Sequence, residues 1–135
     1  MSVAIDASAA VALHFIDERQ PFEPLEDQLA AGEEAFTAPN FFQEVMEGLR
    51  RGIREWRTTA DDVAAWLTVL DSYNITPVNL HPCADCATWS IAKQLNVSAY
   101  DAGYIAIAKS HGLELWSRDG VILTRAPQMG VTVKP

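Results

Sequence analysis

The feature that most constrains the fold of this chain is an alternation of short apolar segments with longer segments of helical periodicity. The first apolar segment, residues 2–5, ends at Asp6 and leads into an Ala-rich stretch, typical of a helix, that continues to Phe15. The same order of strand and helix recurs to the end of the chain. Because parallel strands need crossover connections, the alternation predicts an α/β fold with a mainly parallel sheet.

Capping and breaking residues divide the rest of the chain into elements. Asn40 is expected to cap one helix, Thr59 followed by Asp62 predicts the start of another, and Gly112 ends the clearest one. Residues 35–38 form a short strand or an extended link. The further predicted strands cover residues 75–80, 113–116 and 131–133, and the further helices cover 25–31, 41–54, 59–70, 82–95, 98–111 and 119–126.

The composition is that of one ordinary globular domain, residues 1–135. A hydrophobic fraction of 49% and a charged fraction of 21% exclude a disordered chain or a fibre. No stretch is apolar enough to span a bilayer. The apolar N-terminal run contains Asp6 and follows no basic residue, so it does not resemble a secretory signal. We expect a cytoplasmic protein with no membrane partner, and two cysteines predict no disulfide framework.

The net charge bears on the choice of partner. Ten Lys and Arg against eighteen Asp and Glu give −8, and such a chain repels polyanions unless a cation intervenes. The clustered basic residues lie along one segment and are typical of a solvated helix face: Arg50, Arg51, Arg54 and Arg57. A nucleic-acid substrate would therefore require metal ions or a local basic patch.

Two acids directly follow predicted strands. Ligands of open α/β sheets gather beyond the carboxyl ends of the strands, and both Asp6 and Asp119 occupy that position. Each also has a structural explanation, because Asp6 suits the cap of the next helix and Asp119 suits a turn before Gly120. The sequence leaves both interpretations open.

Asp101 is harder to explain as a surface residue. It lies on the arc of its helix that carries Tyr100, Ile105 and Ala108. The opposite face carries Ala102, Ala106 and Lys109. An ionised carboxylate in apolar surroundings needs a cation or hydrogen bonds, so Asp101 is a candidate site residue. A capping box with Ser98 is the alternative, and it is compatible with a functional role.

Glu44 is a candidate on weaker grounds. Neither Glu44 nor Glu47 lies in the apolar stripe of its helix. Glu47 has Arg51 one turn later for an ion pair, whereas Glu44 has Gly48 at that position. Glu44 therefore lacks the ordinary explanation that Glu47 has.

A divalent ion would explain why such acids come together. Mg²⁺ and Mn²⁺ prefer carboxylate oxygens and keep waters that can meet a phosphate. Two such ions can activate the attacking water and stabilise the leaving oxygen in phosphodiester cleavage. They would also offset the repulsion between clustered carboxylates and an RNA strand.

Four blocks of the sequence resemble the PIN-domain ribonucleases, and within them the VapC-type toxins of bacterial toxin–antitoxin pairs. The blocks are V-A-I-D-A-S-A, A-P-N-F-F-Q-E-V-M-E-G-L-R-R, V-S-A-Y-D-A-G-Y-I-A-I-A-K-S-H-G and L-W-S-R-D-G-V-I-L. The resemblance covers nearly the whole chain, and the third block is its most specific part. It implies metal-binding and catalytic roles for the family's acidic positions, which are here Asp6, Glu44, Asp101 and Asp119. Ser8 and Ser117 match hydroxyl positions that support the first and last aspartates.

The resemblance implies further properties that composition does not. These are a short central parallel sheet between helices, a homodimer, an RNA substrate, and inhibition by an antitoxin whose tail enters the active cleft. The acidic composition departs from a wide basic RNA groove and suits a cationic partner segment. The target RNA cannot be carried over.

Three rival functions remain. Haloacid-dehalogenase-like phosphoryl transfer also places Asp after the first strand, but the second acid that it needs two residues later is Ser8 here. A binding or regulatory module with this fold has no reason to bury Asp101. A PIN nuclease that processes RNA outside a toxin–antitoxin pair is the third.

Other noticeable residues have ordinary explanations. Cys83 and Cys86 form one C-x-x-C pair near His81, whereas a zinc site needs four ligands. His14 and His111 suit helix ends. The tryptophans, which can stack bases, are expected more often as core or dimer contacts: Trp56, Trp66, Trp89 and Trp116.

Overall fold

A computed structural model describes residues 1–80 and 86–135 of the chain. The strands are β1 (Val3–Ile5), β2 (Ala35–Thr37), β3 (Ile75–Pro77), β4 (Leu115–Trp116) and β5 (Val133–Lys134). The helices are α1 (Ala7–His14), α2 (Ile16–Arg19), α3 (Glu23–Ala30), α4 (Phe41–Arg54), α5 (Ala60–Ser72), α6 (Ala87–Leu95), α7 (Ala99–His111) and α8 (Gly120–Arg125). Two 3-10 turns, Gln20–Phe22 and Ala126–Met129, complete the described elements.

The five strands form one sheet in the order β3-β2-β1-β4-β5, and every neighbouring pair is parallel. The predicted α/β fold with a parallel sheet is therefore confirmed. The chain leaves β1 for β2 and β3 on one side, then crosses to β4 and β5 on the other. The carboxyl ends of β1 and β4 consequently meet where the strand order reverses, which is the place where open α/β sheets bind ligands.

Two strands, β3 and β4, are shorter than predicted. Residues 78–80 and 113–114, assigned to strands from their apolar character, lie outside β3 and β4. The last strand begins two residues later than predicted and ends one residue later, and Val131 packs into the core before it. The predicted start of a helix at Pro82 lies outside the described residues, and the described helix α6 begins at Ala87.

The segment between α1 and α3 was not predicted. The first helix ends at His14, and residues 16–22 form the short helix α2 and a 3-10 turn. No residue of α2 is buried, and Ile16 is 92% exposed. Without an apolar stripe, this segment carries none of the periodicity on which sequence prediction depends.

Helix α7 differs from the one-sided amphipathic helix that the sequence suggested. It packs against α6 as well as β1 and β2. Residues 102–108 are all buried as a result, including Ala102 and Ala106, which were expected on an opposite face. Tyr100, which was expected on the apolar arc, is 64% exposed at the start of the helix.

Helices α1 and α4 pack closely because α4 carries two glycines on the contact face. A Cβ atom on Gly48 would lie 2.9 Å from Val11 Cγ2, and one on Gly52 would lie 2.5 Å from Phe15 Cζ. Both distances are shorter than Cβ atoms tolerate, so alanine would push the helices apart. This close contact brings Glu44, in the first turn of α4, beside the start of α1.

The tryptophans divide between core and surface. Trp116 is 5% exposed and packs near Phe22. Trp56 is 94% exposed and follows the end of α4 with a left-handed backbone, φ 60°. Trp56 is therefore not a core residue, and its alternative role as a dimer contact stays a prediction. None of the described helices has the length and apolarity needed to cross a membrane.

Candidate metal-binding active site

Asp6 lies at the carboxyl end of β1 and is almost completely buried, with 2% of its surface exposed. Its Oδ1 accepts hydrogen bonds from the Ser8 hydroxyl at 2.7 Å and from the backbone N–H of Ala9 at 3.0 Å. Its Oδ2 accepts one from the Ser117 hydroxyl at 2.5 Å. Asp6 therefore caps α1. Its buried carboxylate also lies at the carboxyl end of β1, where open α/β sheets bind ligands.

Burial raises the pKa of Asp6 from 3.8 to about 6. The hydrogen bonds from Ser117, Ala9 and Ser8 act in the opposite direction, and the nearby negative charge of Asp119 raises the pKa further. Burial prevails over three donors, so the ionised form of Asp6 is held at a free-energy cost that a cation would offset.

Ser8 and Ser117 join the ends of β1 and β4. The Ser8 hydroxyl accepts the backbone N–H of Arg118 at 2.7 Å, and the Ser117 hydroxyl accepts that of Asp119 at 3.0 Å. Ser117 is fully buried, and the two hydroxyl oxygens are 3.3 Å apart. The two serines thus connect Asp6 to the backbone at Asp119.

Asp119 is the N-cap of α8. Its Oδ1 accepts the backbone N–H groups of Val121 at 2.8 Å and Ile122 at 3.3 Å. The residue is therefore a helix cap rather than only a turn residue before Gly120. Its side chain extends from the carboxyl end of β4 toward the same edge of the sheet as Asp6.

Glu44 is held by two donors, one on each oxygen. The Tyr104 hydroxyl donates to Oε2 at 3.1 Å, and the Asn40 amide Nδ2 donates to Oε1. Asn40 occupies the predicted cap position of α4, but its side chain makes no capping bond because it is directed at Glu44. Partial burial raises the pKa of Glu44 despite these two donors, and the charges of Asp101 and Asp119 add to that effect.

Asp101 lies in the first turn of α7 and is partly exposed. Its backbone N–H donates to the Ser98 hydroxyl at 3.1 Å, which is the capping interaction that the sequence suggested. Burial raises the pKa of the Asp101 carboxyl, and the charge of Asp119 raises it further. The cap and the acidic role are compatible, because the cap uses the backbone of Asp101.

The four predicted acids influence one another. Asp119 raises the pKa of Asp6, Glu44 and Asp101, and Asp101 raises that of Glu44. Like charges are thus brought into one region by four elements that are distant in sequence. These are the ends of β1 and β4 and the first turns of α4 and α7. Repulsion of this kind is reduced when a divalent cation is shared.

The donor chemistry of this region fits a hard divalent ion, since carboxylate oxygens are the ligands that Mg²⁺ and Mn²⁺ prefer. Among the described residues, no three His, Cys, Asp or Glu side chains stand close enough to form a ready ligand group. Asp6 and Asp119 direct oxygens at hydroxyl and backbone donors instead. The acids are thus gathered, but they would have to adjust to share an ion.

A cleft of about 590 Å³ adjoins the acids and runs between α1 and α4. Glu44, Asp119 and Ser8 line one part of it. Three arginines also line it, namely Arg51, Arg57 and Arg118, together with the acids Glu18, Glu47 and Glu55. The cleft therefore has a mixed charge, with its arginines placed among carboxylates.

The basic cluster of α4 is only partly a solvated face. Arg50 pairs with Glu47 at 2.8 Å, so the predicted pairing of Glu47 with Arg51 is wrong. Arg51 lines the cleft instead. Arg57 lies over the ring of Phe15 at 4.0 Å. The side chain is therefore held by the wall of the cleft rather than by water alone.

Sequence reasoning missed Tyr104 and Asn40 as neighbours of the site. Tyr104 was not among the candidate residues, and it is 2% exposed. Burial raises the pKa of Tyr104, followed by the charges of Glu44 and Asp6, so the phenol stays protonated and donates. The one available signal was spacing, because Tyr104 follows Asp101 by three residues and Asn40 precedes Glu44 by four.

The remaining candidates have local roles. His14 Nε2 lies 2.7 Å from Thr58 Oγ1, and His111 Nδ1 lies 3.0 Å from the Ile107 carbonyl oxygen. Both histidines are thus engaged at helix ends, as expected. Cys83 of the C-x-x-C pair lies outside the described residues, so the expectation that this pair forms no metal site stays a prediction.

Comparison with known proteins gives one family and one fold. The family model for the PIN domain matches residues 3–126. Among solved structures, the crystal structure of PAE2754 from Pyrobaculum aerophilum superposes with a TM-score of 0.69 and 24% identity, covering 98% of this chain and 92% of that chain. At that identity the likeness shows the fold. No curated protein matches the sequence.

Proposed function

The chain belongs to the PIN domain family, whose members are generally nucleases, and from this premise we propose that it is a divalent-metal-dependent endoribonuclease. The observation that carries the proposal is the convergence of Asp6, Glu44, Asp101 and Asp119 where the strand order reverses. The proposed reaction is hydrolysis of RNA phosphodiester bonds.

Mg²⁺ is the proposed ion, with Mn²⁺ as a substitute, and the four carboxylates would hold it. Such ions activate water and stabilise a leaving oxygen in phosphodiester cleavage. The chain itself keeps Asp6 in place through Ser8 and Ser117. It also holds the Glu44 carboxylate between two donors, and these bonds keep both carboxylates near the positions from which they would adjust to share the ion.

The arginines of the cleft supply a path for the RNA backbone. Arg51, Arg57 and Arg118 line the same cleft as Glu44 and Asp119. Arg118 pairs with Glu18 at 2.8 Å, and Arg57 pairs with Asp17 at 3.0 Å and lies 3.6 Å from Glu18. Phosphates would compete with these carboxylates, so the binding of RNA should weaken steeply with salt.

We further propose that the protein is the toxin of a VapC-type pair, acting as a homodimer and inhibited by an antitoxin. The support is the sequence resemblance together with the mixed charge of the cleft, where acids lie beside an apolar floor that includes Val11 and Phe15. A cationic segment of the antitoxin would suit the carboxylates. We predict that a small antitoxin is encoded beside this gene and that its co-expression relieves growth arrest. Failure to bind or to relieve it would favour a PIN nuclease outside a toxin–antitoxin pair.

The nuclease proposal is tested by cleavage of single-stranded RNA after removal of metal and addition of Mn²⁺. Wild type should cleave only with Mn²⁺, and Asp6→Asn and Asp101→Asn should each lose at least a hundredfold in rate. Asp61→Asn is the matched control. Asp61 is exposed in α5, does not line the arginine cleft and is not one of the four site acids. Equal cleavage by the metal-stripped protein, or by either site variant, would contradict the proposal.

A further inference from the structure

A second cleft lies on the other side of Glu44 from the arginines. It measures about 640 Å³ and is lined by Pro39, Asn40, Gln43, Glu44, Glu47 and Tyr100. Glu44 and Glu47 line both clefts, so the two form neighbouring depressions on either side of the first turns of α4. A molecule bound at the acids would therefore contact the first cleft on one side and the second cleft on the other.

The two clefts differ in their cationic side chains. Arg51, Arg57 and Arg118 line the first beside five carboxylates, whereas neither Lys nor Arg is among the described residues that line the second. Its charged groups are the carboxylates of Glu44 and Glu47, and Glu47 is neutralised by Arg50 at 2.8 Å. The second cleft thus offers a phosphate no cationic partner and suits a neutral group.

The walls of the second cleft suit a planar heterocycle. Tyr100 is 64% exposed, and it stands immediately before Asp101 in the first turn of α7. Exposed aromatic rings stack on nucleobases with little dependence on sequence. Pro39 provides a second apolar surface, and Gln43 is exposed with a carboxamide that offers both a donor and an acceptor to a base edge.

We propose that the second cleft is a nucleobase subsite, in which an unpaired base of the RNA next to the cleaved phosphate stacks on Tyr100. Gln43 contacts the edge of that base. The phosphates on the other side of the cleaved bond follow the arginine cleft. This inference rests on the proposed ribonuclease function and adds to it a requirement for an unstacked, single-stranded nucleotide at the site.

The subsite is tested with a single-stranded oligoribonucleotide that carries 2-aminopurine, whose fluorescence falls when it stacks. Binding is measured with Ca²⁺, and cleavage is measured with Mn²⁺. Tyr100→Ala should abolish the quenching and raise KM about tenfold or more, the size of one stacking contact, with little change in kcat. Tyr100→Phe keeps the ring and should behave as wild type. Trp89→Ala is the control, because Trp89 is half-exposed in α6 and lines neither cleft.

Each other outcome overturns the inference. Wild-type quenching by Tyr100→Ala would exclude stacking on this residue, and a loss in Tyr100→Phe equal to that in Tyr100→Ala would assign the effect to the hydroxyl. A change in oligomeric state on gel filtration of Tyr100→Ala would place Tyr100 at a contact with a second copy of the chain. Absence of any Mn²⁺-dependent cleavage by wild type would instead contradict the ribonuclease function, so the two failures are distinguishable.

Discussion

At the scale of single residues, the site depends on the hydrogen bonds and the burial of each carboxylate. Asp6 and Asp119 follow strands and cap helices, and the sequence offered these as alternatives. The structure shows that the two roles coexist, because a carboxylate has enough lone pairs for backbone amides and for another partner. The capping preference of aspartate was therefore no argument against a functional role.

The buried charge of Asp6 predicts a stability effect that depends on pH. Its pKa rises from 3.8 to about 6 on folding, so the folded state binds more protons than the unfolded state between these values. Stability from this group is therefore present at low pH and is lost as the pH rises through about 4 to 6. In metal-free protein, Asp6→Asn should be more stable than wild type at pH 7.5 by on the order of 2 kcal/mol.

Denaturant unfolding of both proteins with chelator at pH 4.5 and pH 7.5 measures this effect. The advantage of Asp6→Asn should shrink toward pH 4.5, where Asp6 of wild type is largely protonated. A difference in the free energy of unfolding that is independent of pH, or that widens as the pH falls, would show that burial does not raise the pKa of Asp6.

The hydroxyl of Tyr104 gives a second prediction at this scale. It donates to Glu44 Oε2 at 3.1 Å, and hydrogen bonds to charged groups contribute about 1.5–3 kcal/mol. Tyr104→Phe should free one oxygen of Glu44 and weaken Mn²⁺ binding by about tenfold, as measured by isothermal titration. Tyr73→Phe, which alters a half-buried tyrosine near Glu26 and Arg19, should leave the affinity unchanged. Equal affinities for wild type and Tyr104→Phe would remove Tyr104 from the site.

At the scale of elements, α4 matters because it brings Glu44 beside α1. The sequence identified Glu44 partly because Gly48 stands where an ion-pair partner would be. The structure gives Gly48 a packing role, since a side chain there would meet Val11. The inference about Glu44 thus pointed to the correct helix. The glycine that stands in place of an ion-pair partner, however, reflects the close contact of α4 with α1.

Gly52→Ala tests this contact. Alanine favours a helix over glycine by about 1 kcal/mol, but its Cβ would lie 2.5 Å from Phe15 Cζ, and Phe15 is 5% exposed and held by Arg57. The overpacking should prevail and destabilise the protein by about 1–3 kcal/mol. Gly120→Ala is the control, because no atom lies within 4 Å of the added Cβ. A Gly52→Ala protein as stable as wild type would show that Phe15 and the end of α1 can shift at little cost in free energy.

The sequence predicted elements well where their burial was one-sided. Helix α5 begins at its predicted cap, with the Thr59 hydroxyl accepting the backbone N–H of Asp62 at 3.2 Å. Prediction was incomplete where burial was complete or absent. The bounds of α7 were predicted, but not that it is covered on several sides. Helix α2, which has no buried residue and no apolar stripe, was missed.

At the scale of the whole molecule, the fold assembles the site from residues far apart in the chain. Asp6 and Asp119 meet because β1 and β4 are neighbours in the sheet. Alternation of strands and helices predicted a parallel sheet, but not which strands would be neighbours, because strand order depends on how the connections pack. The sequence resemblance supplied the grouping of acids that periodicity could not.

The net charge of −8 predicts that divalent ions stabilise the whole protein. An ion that binds only the folded state at a hundred times its Kd adds about 2.7 kcal/mol. Thermal unfolding at pH 7.5 should therefore show a rise in Tm with Mg²⁺ or Mn²⁺ beyond that given by NaCl of the same ionic strength. Asp6→Asn should lose this difference. A rise of equal size with NaCl would indicate screening alone.

The central claim is that Asp6, Glu44, Asp101 and Asp119 together hold a divalent ion. A titration of metal-stripped protein with Mn²⁺, followed by electron paramagnetic resonance of the free ion, tests it most directly. Wild type should bind Mn²⁺, Asp101→Asn should bind it at least tenfold more weakly, and Asp61→Asn should match wild type. Equal binding by wild type and Asp101→Asn, or no binding by wild type, would contradict the account.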